Sequence, residues 1–260
     1  MRGGSIWHRL LPWALLGVAI AGAWLPMRVA KAAEMLHNIA AQRAARLFEA
    51  GGKYRFPCPV FGTCNHRIVG LFQVRRAGTP ETWVVAAIPN EEACHACTSR
   101  MTLEVYRKRH GKWRKHRVWR HFDEWGTWGR VSPGWVRMAR VDDGRMMLFL
   151  HLPFLQMGEQ TETMRVYIVD DRGVSPAGDF CLTYDNEGAV LPGSGMKVIK
   201  WDADYELASD DGRPKLVFRI TGDAGLATNT VAYEIQGRGL RLSSPPDLRL
   251  NTPCGAHLYR

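Results

Sequence analysis

Two cysteines and a histidine lie close together in the segment Glu92–Arg100, EACHACTSR, and three kinds of chemistry suit this spacing. A Cys-x-x-Cys pair forms a reactive dithiol when a helix begins at the first cysteine, because the helix N-terminus lowers the pKa of its thiol. The same residues could bind zinc together with Cys64 and His66 of the segment TCNH. The third option is a structural disulfide between Cys94 and Cys97.

The segments on either side of these cysteines decide which option we expect. The strand-like segment TWVVAAI precedes them and MTLEVY follows them, so no helix is predicted there. Thr98 follows Cys97, whereas attachment of a c-type haem requires histidine at that position. We therefore expect a disulfide that pins a long loop, and no cofactor. A thiol-disulfide or metal-dependent enzyme centred on Cys94-His95-Ala96-Cys97 is kept as the second hypothesis.

The first 32 residues have the pattern of an export signal. A basic start precedes the apolar run Leu10–Pro26, and Ala30 and Ala32 supply the small residues that signal peptidase requires. We expect cleavage after Ala32 and a destination in the periplasm of a bacterium or outside the cell. A retained membrane anchor is the alternative. It is less favoured, because a span needs roughly 20 apolar residues and this run is shorter.

Export changes the interpretation of the cysteines, because oxidising compartments favour disulfides. The chain has six cysteines, all of them after the export signal. Proximity in sequence suggests the pairs Cys58–Cys64 and Cys94–Cys97, which would leave Cys181 and Cys254 to form a long-range bridge. The sequence alone also permits other pairings.

One helix is predicted, over residues Ala33–Ala50. Its apolar residues recur at steps of three and four, and Gly51-Gly52 follows them. From about residue 66 onward the pattern becomes short alternating apolar runs separated by turn residues, which is typical of β-strands.

The strand region contains similar segments at regular intervals. Glycines mark a predicted turn in each of six hairpins, at Gly78, Gly111, Gly144, Gly173, Gly212 and either Gly237 or Gly239. Successive pairs of hairpins repeat at about 65 residues, and tandem four-stranded meanders of this kind build β-propellers. We therefore predict an all-β fold of three tandem four-stranded antiparallel meander units, packed as a propeller, sandwich or barrel, with one N-terminal α-helix. The predicted divisions are a signal peptide at 1–32, a helix and cysteine-containing loop at 33–65, and a β-repeat domain at 66–260.

Positive charge is concentrated in one predicted hairpin. The full chain carries a net charge of +10, and the segment Ser99–His121 contains nine Lys or Arg residues against the single acid Glu104. Cations beside tryptophans suit an anionic partner, because charge steers association and flat rings supply contact area. Strand alternation predicts Trp113, Lys115, Arg117 and Trp119 on one face. The candidate binding residues are Arg107, Arg109, Lys112, Trp113, Arg114, Lys115, Arg117, Trp119 and Arg120.

Other motifs have structural interpretations. The pairs Asp142-Asp143, Asp170-Asp171 and Asp210-Asp211 lie beside predicted turn glycines, where aspartate stabilises the backbone, so we expect turns rather than calcium sites. The methionines around His151 could suggest copper, but their apolar surroundings indicate core packing. The sequence contains no nucleophile elbow, P-loop or dinucleotide fingerprint.

These observations favour a secreted or periplasmic, non-enzymatic binding protein of the bacterial envelope, with an inhibitor or immunity role as one concrete version. Its partner would be a protein or an anionic envelope component, including the membrane surface. Export makes nucleic acid the least expected partner. The oligomeric state does not follow from the sequence.

Overall fold

The computed structural model describes residues 33–39, 67–76, 78–89, 94, 96–222, 230–243 and 254, and within these ranges the chain is almost entirely β-structure. The first strands are β1 (Glu34–Leu36), β2 (Arg67–Arg76), β3 (Thr79–Ile88), β4 (Ser99–Arg109), β5 (Lys112–Trp125) and β6 (Val136–Arg140). They are followed by β7 (Met146–Gln156), β8 (Glu159–Asp170), β9 (Gly173–Asp185), β10 (Lys200–Asp210), β11 (Arg213–Gly222), β12 (Thr230–Gln236) and β13 (Gly239–Leu242). Short 3-10 helices occupy Pro133–Trp135 and Glu187–Ala189. None of the helical segments in these ranges has the length and apolar character needed to cross a membrane.

The strands form two open antiparallel sheets. Strands β2 to β5 make a four-stranded sheet in sequence order, and β6 to β13 continue through a nine-stranded sheet that also contains β1. The predicted all-β class and antiparallel meanders are therefore confirmed. Division into three separate four-stranded units is not confirmed, because Thr183–Asp185 of β9 pairs with Lys200–Asp202 of β10 and joins the second and third predicted units. The described strands do not close into a barrel.

The start of the predicted N-terminal helix is instead a strand. Residues Glu34–Leu36 pair with Met138–Arg140 at the edge of β6, and Arg140 also contacts the Glu34 carboxylate at 3.3 Å. A strand edge offers unpaired backbone donors and acceptors, and pairing with it overrides the local helical pattern. The remainder of the helix prediction, from residue 40 to 50, lies outside the described residues.

Two apolar clusters hold the sheets together. The first lies between the four-stranded sheet and the β6–β9 part of the larger sheet, and includes Phe72, Trp83, Leu103, Met138, Leu148 and Tyr167. The second lies on the opposite face of β6–β9, against β10–β12, and includes Phe149, Val166, Phe180, Trp201, Phe218 and Tyr233. Strands with both faces buried read as continuous apolar runs. This explains the segment Met146–Leu150 and confirms that Met146 and Met147 are core residues. The same prediction was wrong for Met157, which is 88% exposed in the turn after β7.

The predicted turn role of the acid pairs is confirmed at two turns. An oxygen of Asp142 accepts hydrogen bonds from the backbone N–H groups of Gly144 and Arg145, both at 2.7 Å. Asp170 accepts from the N–H groups of Arg172 at 2.8 Å and Gly173 at 3.2 Å. The carboxylates of Asp142 and Asp170 therefore stabilise the turns by accepting hydrogen bonds from backbone N–H groups.

Two of the expected disulfides are present. Cys94 is bonded to Cys97, and Cys181 to Cys254 across a sequence separation of 73. Cys58 and Cys64 lie outside the described residues, so that pairing stays a prediction.

The two disulfides are predicted to differ in their effect on stability. Replacing Cys181 and Cys254 by alanine should lower the free energy of unfolding by about 4 kcal/mol, because the bridge restricts a long loop in the unfolded chain. Replacing Cys94 and Cys97 should lower it by only about 2 kcal/mol, because that loop is short. Urea denaturation of the two double variants measures both values. Equal losses would contradict this assignment.

Candidate functional site

The basic segment forms the β4–β5 hairpin, whose two strands are joined by His110 and Gly111. Both turn residues have positive φ, 50° and 77°, as the tight turns of twisted hairpins require. Within the described residues β5 pairs with β4 alone, so β5 is an outer strand of the four-stranded sheet. No other strand of the described part of the chain pairs with its outer backbone edge.

The strand β5 is irregular, and this changes which side chains share a face. Tyr106 lies opposite Lys115 and Val105 lies opposite Arg117, so His116 is an extra residue in β5. Such a bulge breaks the strict alternation that the sequence argument assumed. The prediction of one shared face for Trp113, Lys115, Arg117 and Trp119 was therefore wrong.

The two tryptophans of the hairpin lie on opposite sides of the sheet. Trp113 is partly buried against the small cluster formed by Leu71, Val84 and Tyr106. Trp119 packs against the cluster between the two sheets and stacks on Trp83, with ring centroids 6.3 Å apart. Both rings are half-buried, which leaves only part of each face for contact with a partner.

Two cations of the hairpin neutralise buried glutamates. Glu81 and Glu104 are 1% and 0% exposed, and they pair with Arg107 at 2.6 Å and with Lys115 at 2.9 Å. Tyr106 donates its hydroxyl to Glu104, and burial together with this bond raises the pKa of Tyr106. A buried carboxylate that loses its partner is strongly destabilising, so these two cations have a structural role.

A third cation connects the sheets. Arg117 on β5 pairs with Asp171 in the β8–β9 turn, and Arg76 at the end of β2 pairs with the same carboxylate at 3.2 Å. Arg76 also donates to the carbonyls of Asp143 at 2.6 Å and Gly144 at 2.8 Å. The hydrogen bond from Arg117 lowers the pKa of Asp171.

The remaining cations of the hairpin point to solvent. Arg109, Lys112 and Arg114 at the tip are exposed and have no ion pair with the described part of the chain, and Arg120 is exposed further along β5. Partial burial and the nearby Arg107 and Arg117 lower the pKa of His116. The potential around the outer surface of β5 is therefore positive.

A cavity of about 380 Å³ adjoins the far end of β5. Its walls are formed by Phe122, Asp123, Arg165, Tyr167 and the β9 segment from Pro176 to Asp179. Arg165 donates to both oxygens of Asp123, at 2.8 and 2.9 Å, and to Asp179 at 2.9 Å. This group was not predicted from the sequence, although Arg165 is the one charged residue of the otherwise apolar run Met164–Val169, a position that signals an ion pair.

A hydrogen-bonded chain links a carboxylate, an imidazole and a phenol elsewhere in the larger sheet. One ring nitrogen of His151 contacts Glu162 at 2.6 Å and the other contacts the hydroxyl of Tyr205 at 2.8 Å. The bond to His151 lowers the pKa of Glu162, and burial raises the pKa of Tyr205. A phenol with a raised pKa is a weak nucleophile at neutral pH. The sequence argument placed His151 in the core but missed both partners.

The cysteine motif lies between strands β3 and β4. Cys94 is exposed, Cys97 is partly buried, and strand β4 begins at Ser99, so no helix follows the motif. His95 lies outside the described residues. Among the residues that are described, no three His, Cys, Asp or Glu side chains are grouped so as to hold a metal ion.

Comparison of the chain with models of protein families, with curated proteins and with solved structures finds no match. Function must therefore be inferred from the geometry of the hairpin and the cavity.

The two lysines of β5 provide a matched test of the role assigned to the buried pairs. Lys115→Met should lower the free energy of unfolding by about 2 kcal/mol, because it leaves Glu104 buried without its cation. Lys112→Met makes the same chemical change at the exposed tip, where surface substitutions stay within about 0.5 kcal/mol. Urea denaturation compares the two variants. Similar losses would show that Lys115 contributes no more than a surface charge.

Proposed function

We propose that this chain is an exported, non-enzymatic binding protein of the bacterial envelope that holds an anionic partner on the outer surface of the basic β4–β5 hairpin. The contact residues are Arg109, Lys112 and Arg114 at the tip and Arg120 further along β5. The partner is an acidic protein surface or an anionic envelope component. An inhibitor or immunity function is one form of this role.

The arrangement of charge at the hairpin tip carries the proposal. Arg109 lies directly opposite Lys112, and Arg107 lies directly opposite Arg114. Like charges in opposite positions of paired strands destabilise a hairpin, by roughly 0.2 to 1 kcal/mol for each pair. Acidic side chains of the chain pair with Arg107, Lys115 and Arg117. No acid among the described residues forms an ion pair with the tip cations Arg109, Lys112 and Arg114. An anionic partner would relieve this repulsion.

The proposed location is supported by the cysteines. Disulfides persist in oxidising compartments, and the Cys181–Cys254 bridge is compatible with such a compartment. The export signal itself lies outside the described residues. A partner surface that carries negative charge would attract the hairpin tip.

The enzyme hypothesis ranks second. In the structure Cys94 and Cys97 are joined by a disulfide, and the direct continuation into β4 leaves no helix N-terminus to lower the pKa of a thiol. The exposure of Cys94 is the observation in its favour. Reduction of the purified protein followed by titration of thiol reactivity tests it, since a reactive thiolate below neutral pH would revive this hypothesis.

Charge reversal at the hairpin tip tests the proposed function. A triple variant with Arg109, Lys112 and Arg114 replaced by glutamate should bind more weakly, by about tenfold or more, to vesicles of anionic phospholipid, because each cation near an anionic surface contributes about 1 kcal/mol. The same variant should lose its partners in pull-downs from envelope extracts. Added salt should weaken binding of the unaltered protein, since exposed charges are screened.

The matched control changes the net charge equally at other exposed cations. Replacing Lys197, Arg213 and Arg241 by glutamate should leave binding close to that of the unaltered protein. Equal losses in the two triple variants would show that only net charge matters. Unchanged binding in the hairpin variant would contradict the proposed surface.

Binding should also be linked to protonation of His116. Its pKa in the free protein is lowered from 6.5 by partial burial and by Arg107, Arg117 and Arg109, with Glu81 acting in the opposite direction. An anion bound on the hairpin offsets the positive field and raises the pKa of His116, so protons are taken up on binding. The affinity for the anion should therefore rise as the pH falls below 6.5. Because this pKa is lowered in the folded state, the free energy of unfolding of the free protein should fall as the pH drops below 6.5.

Calorimetry in buffers of different ionisation enthalpy measures this proton uptake. His116→Gln should remove the uptake due to this residue while preserving most of the affinity at neutral pH. Undiminished uptake in His116→Gln would assign the linkage to another group.

A further inference from the structure

We infer that the cavity at the far end of β5 binds a neutral sugar ring. This inference concerns a second site, distinct from the hairpin tip, and it stands whether or not the tip binds an anion. The cavity is about 380 Å³, near the lower end of the range of small-ligand sites, and so suits one or two rings. It is formed where β5 meets the β9 segment from Pro176 to Asp179.

The polar groups of the cavity are held rigidly before any ligand arrives. Asp123 accepts two hydrogen bonds from Nη1 of Arg165 and one from the hydroxyl of Tyr167. The guanidinium carbon of Arg165 lies 4.6 Å from the ring centroid of Trp125, and this contact orients the plane of the guanidinium group. Preorganisation of this kind reduces the entropy lost on binding.

Part of this hydrogen-bonding capacity is unused. The bonds of Arg165 to the described residues involve Nε and Nη1, so the two N–H groups of Nη2 remain as donors. Within the described residues Asp179 accepts a hydrogen bond through one oxygen only, and its side chain is 52% exposed. A donor and an acceptor therefore stand side by side at the wall of the cavity.

Adjacent hydroxyl groups are the chemistry that fits such a pair. One hydroxyl donates to the Asp179 carboxylate while its neighbour accepts from the Arg165 guanidinium, and both bonds are strengthened because one partner is charged. Vicinal hydroxyls on a ring are the common feature of sugars. The ring carbons would then lie against Phe122, which is held edge-on to Tyr167 with centroids 5.2 Å apart.

The charges of the cavity argue against ionic ligands. Asp123 and Asp179 carry two negative charges against the one positive charge of Arg165, so an anion would meet net repulsion. A cation would compete with the guanidinium, which is already ion-paired with both carboxylates. A neutral ligand with several hydroxyls uses the free donor and the free acceptor without adding charge.

Nuclear magnetic resonance of the exported form of the chain tests this inference. The probes are the methyl glycosides of glucose, galactose, mannose and N-acetylglucosamine, with glucuronic acid and choline as ionic comparisons. We expect at least one glycoside to bind at millimolar concentration and to shift the amide signals of Ala177 and Gly178 and the indole N–H signal of Trp125.

Two cavity variants and one matched variant complete the test. Asp179→Asn and Phe122→Leu should each weaken glycoside binding about tenfold or more, because one removes the charged acceptor and the other the flat face. Asp210→Asn makes the same chemical change at an exposed ion pair with Lys215 and should bind like the unaltered protein. The hairpin triple variant should also retain glycoside binding, so a failure of either site can be told apart from a failure of the other.

Three results would overturn the inference. The first is an absence of shifts at the cavity with all four glycosides. The second is binding of glucuronic acid or choline in preference to the neutral sugars. The third is glycoside binding that Asp179→Asn and Phe122→Leu leave unchanged while both variants remain folded, as judged by dispersed amide spectra.

Discussion

The packing of the four-stranded sheet on the β6–β9 part of the larger sheet is the constraint on which the rest of the structure depends. This contact buries Trp83, Leu103, Met138 and Leu148 in one apolar cluster. It also fixes the strand β5 beside the β8–β9 hairpin. The cations of β5 that face inward must then find acids, and those that face outward are left to solvent. The distribution of charge over the protein surface is therefore a consequence of how the sheets pack.

The ion pairs between the sheets follow from the same contact. Near the middle of β5 the guanidinium of Arg117 meets Asp171, and near its C-terminal end Asp123 meets Arg165 at 2.8 Å. Partly buried pairs of this kind contribute less to stability than to orientation, because desolvation offsets much of their attraction. Their effect here is to fix the position of β5 along its length. The outer surface of β5 and the cavity are built on that position.

The sequence allowed prediction of features set by local chemistry. Turn residues such as Asp142 and Gly144 identified the hairpins, because their backbone preferences act over a few residues. It could not show the N-terminal strand, since Glu34–Leu36 is extended only because the edge of β6 is available. It could not place His116 as an extra residue either, because a bulge depends on pairing with a neighbouring strand.

The limits for the candidate site have the same origin. The concentration of positive charge was visible in the sequence, but its division into structural and exposed cations was not. Arg117 and Asp171 are 54 residues apart, and no periodic pattern connects them. The cavity combines residues of β5 with residues of β8 and β9, so no single segment contains its signature. Functions that rest on such juxtapositions become visible only once the sheets are packed.

The strand β5 carries both proposed contact regions, and this limits the partners that could use them together. Its basic tip begins at Lys112 and its cavity residues are Phe122 and Asp123, about ten residues further along. Lys112 lies opposite Arg109 and Asp123 lies opposite Met101 of β4, so at about 3.3 Å per residue along β4 the two regions are separated by roughly 26 Å. A small ligand cannot reach both. An acidic polysaccharide could, with charged groups at the tip and one neutral ring in the cavity, and each region would then raise the effective concentration of the polymer at the other.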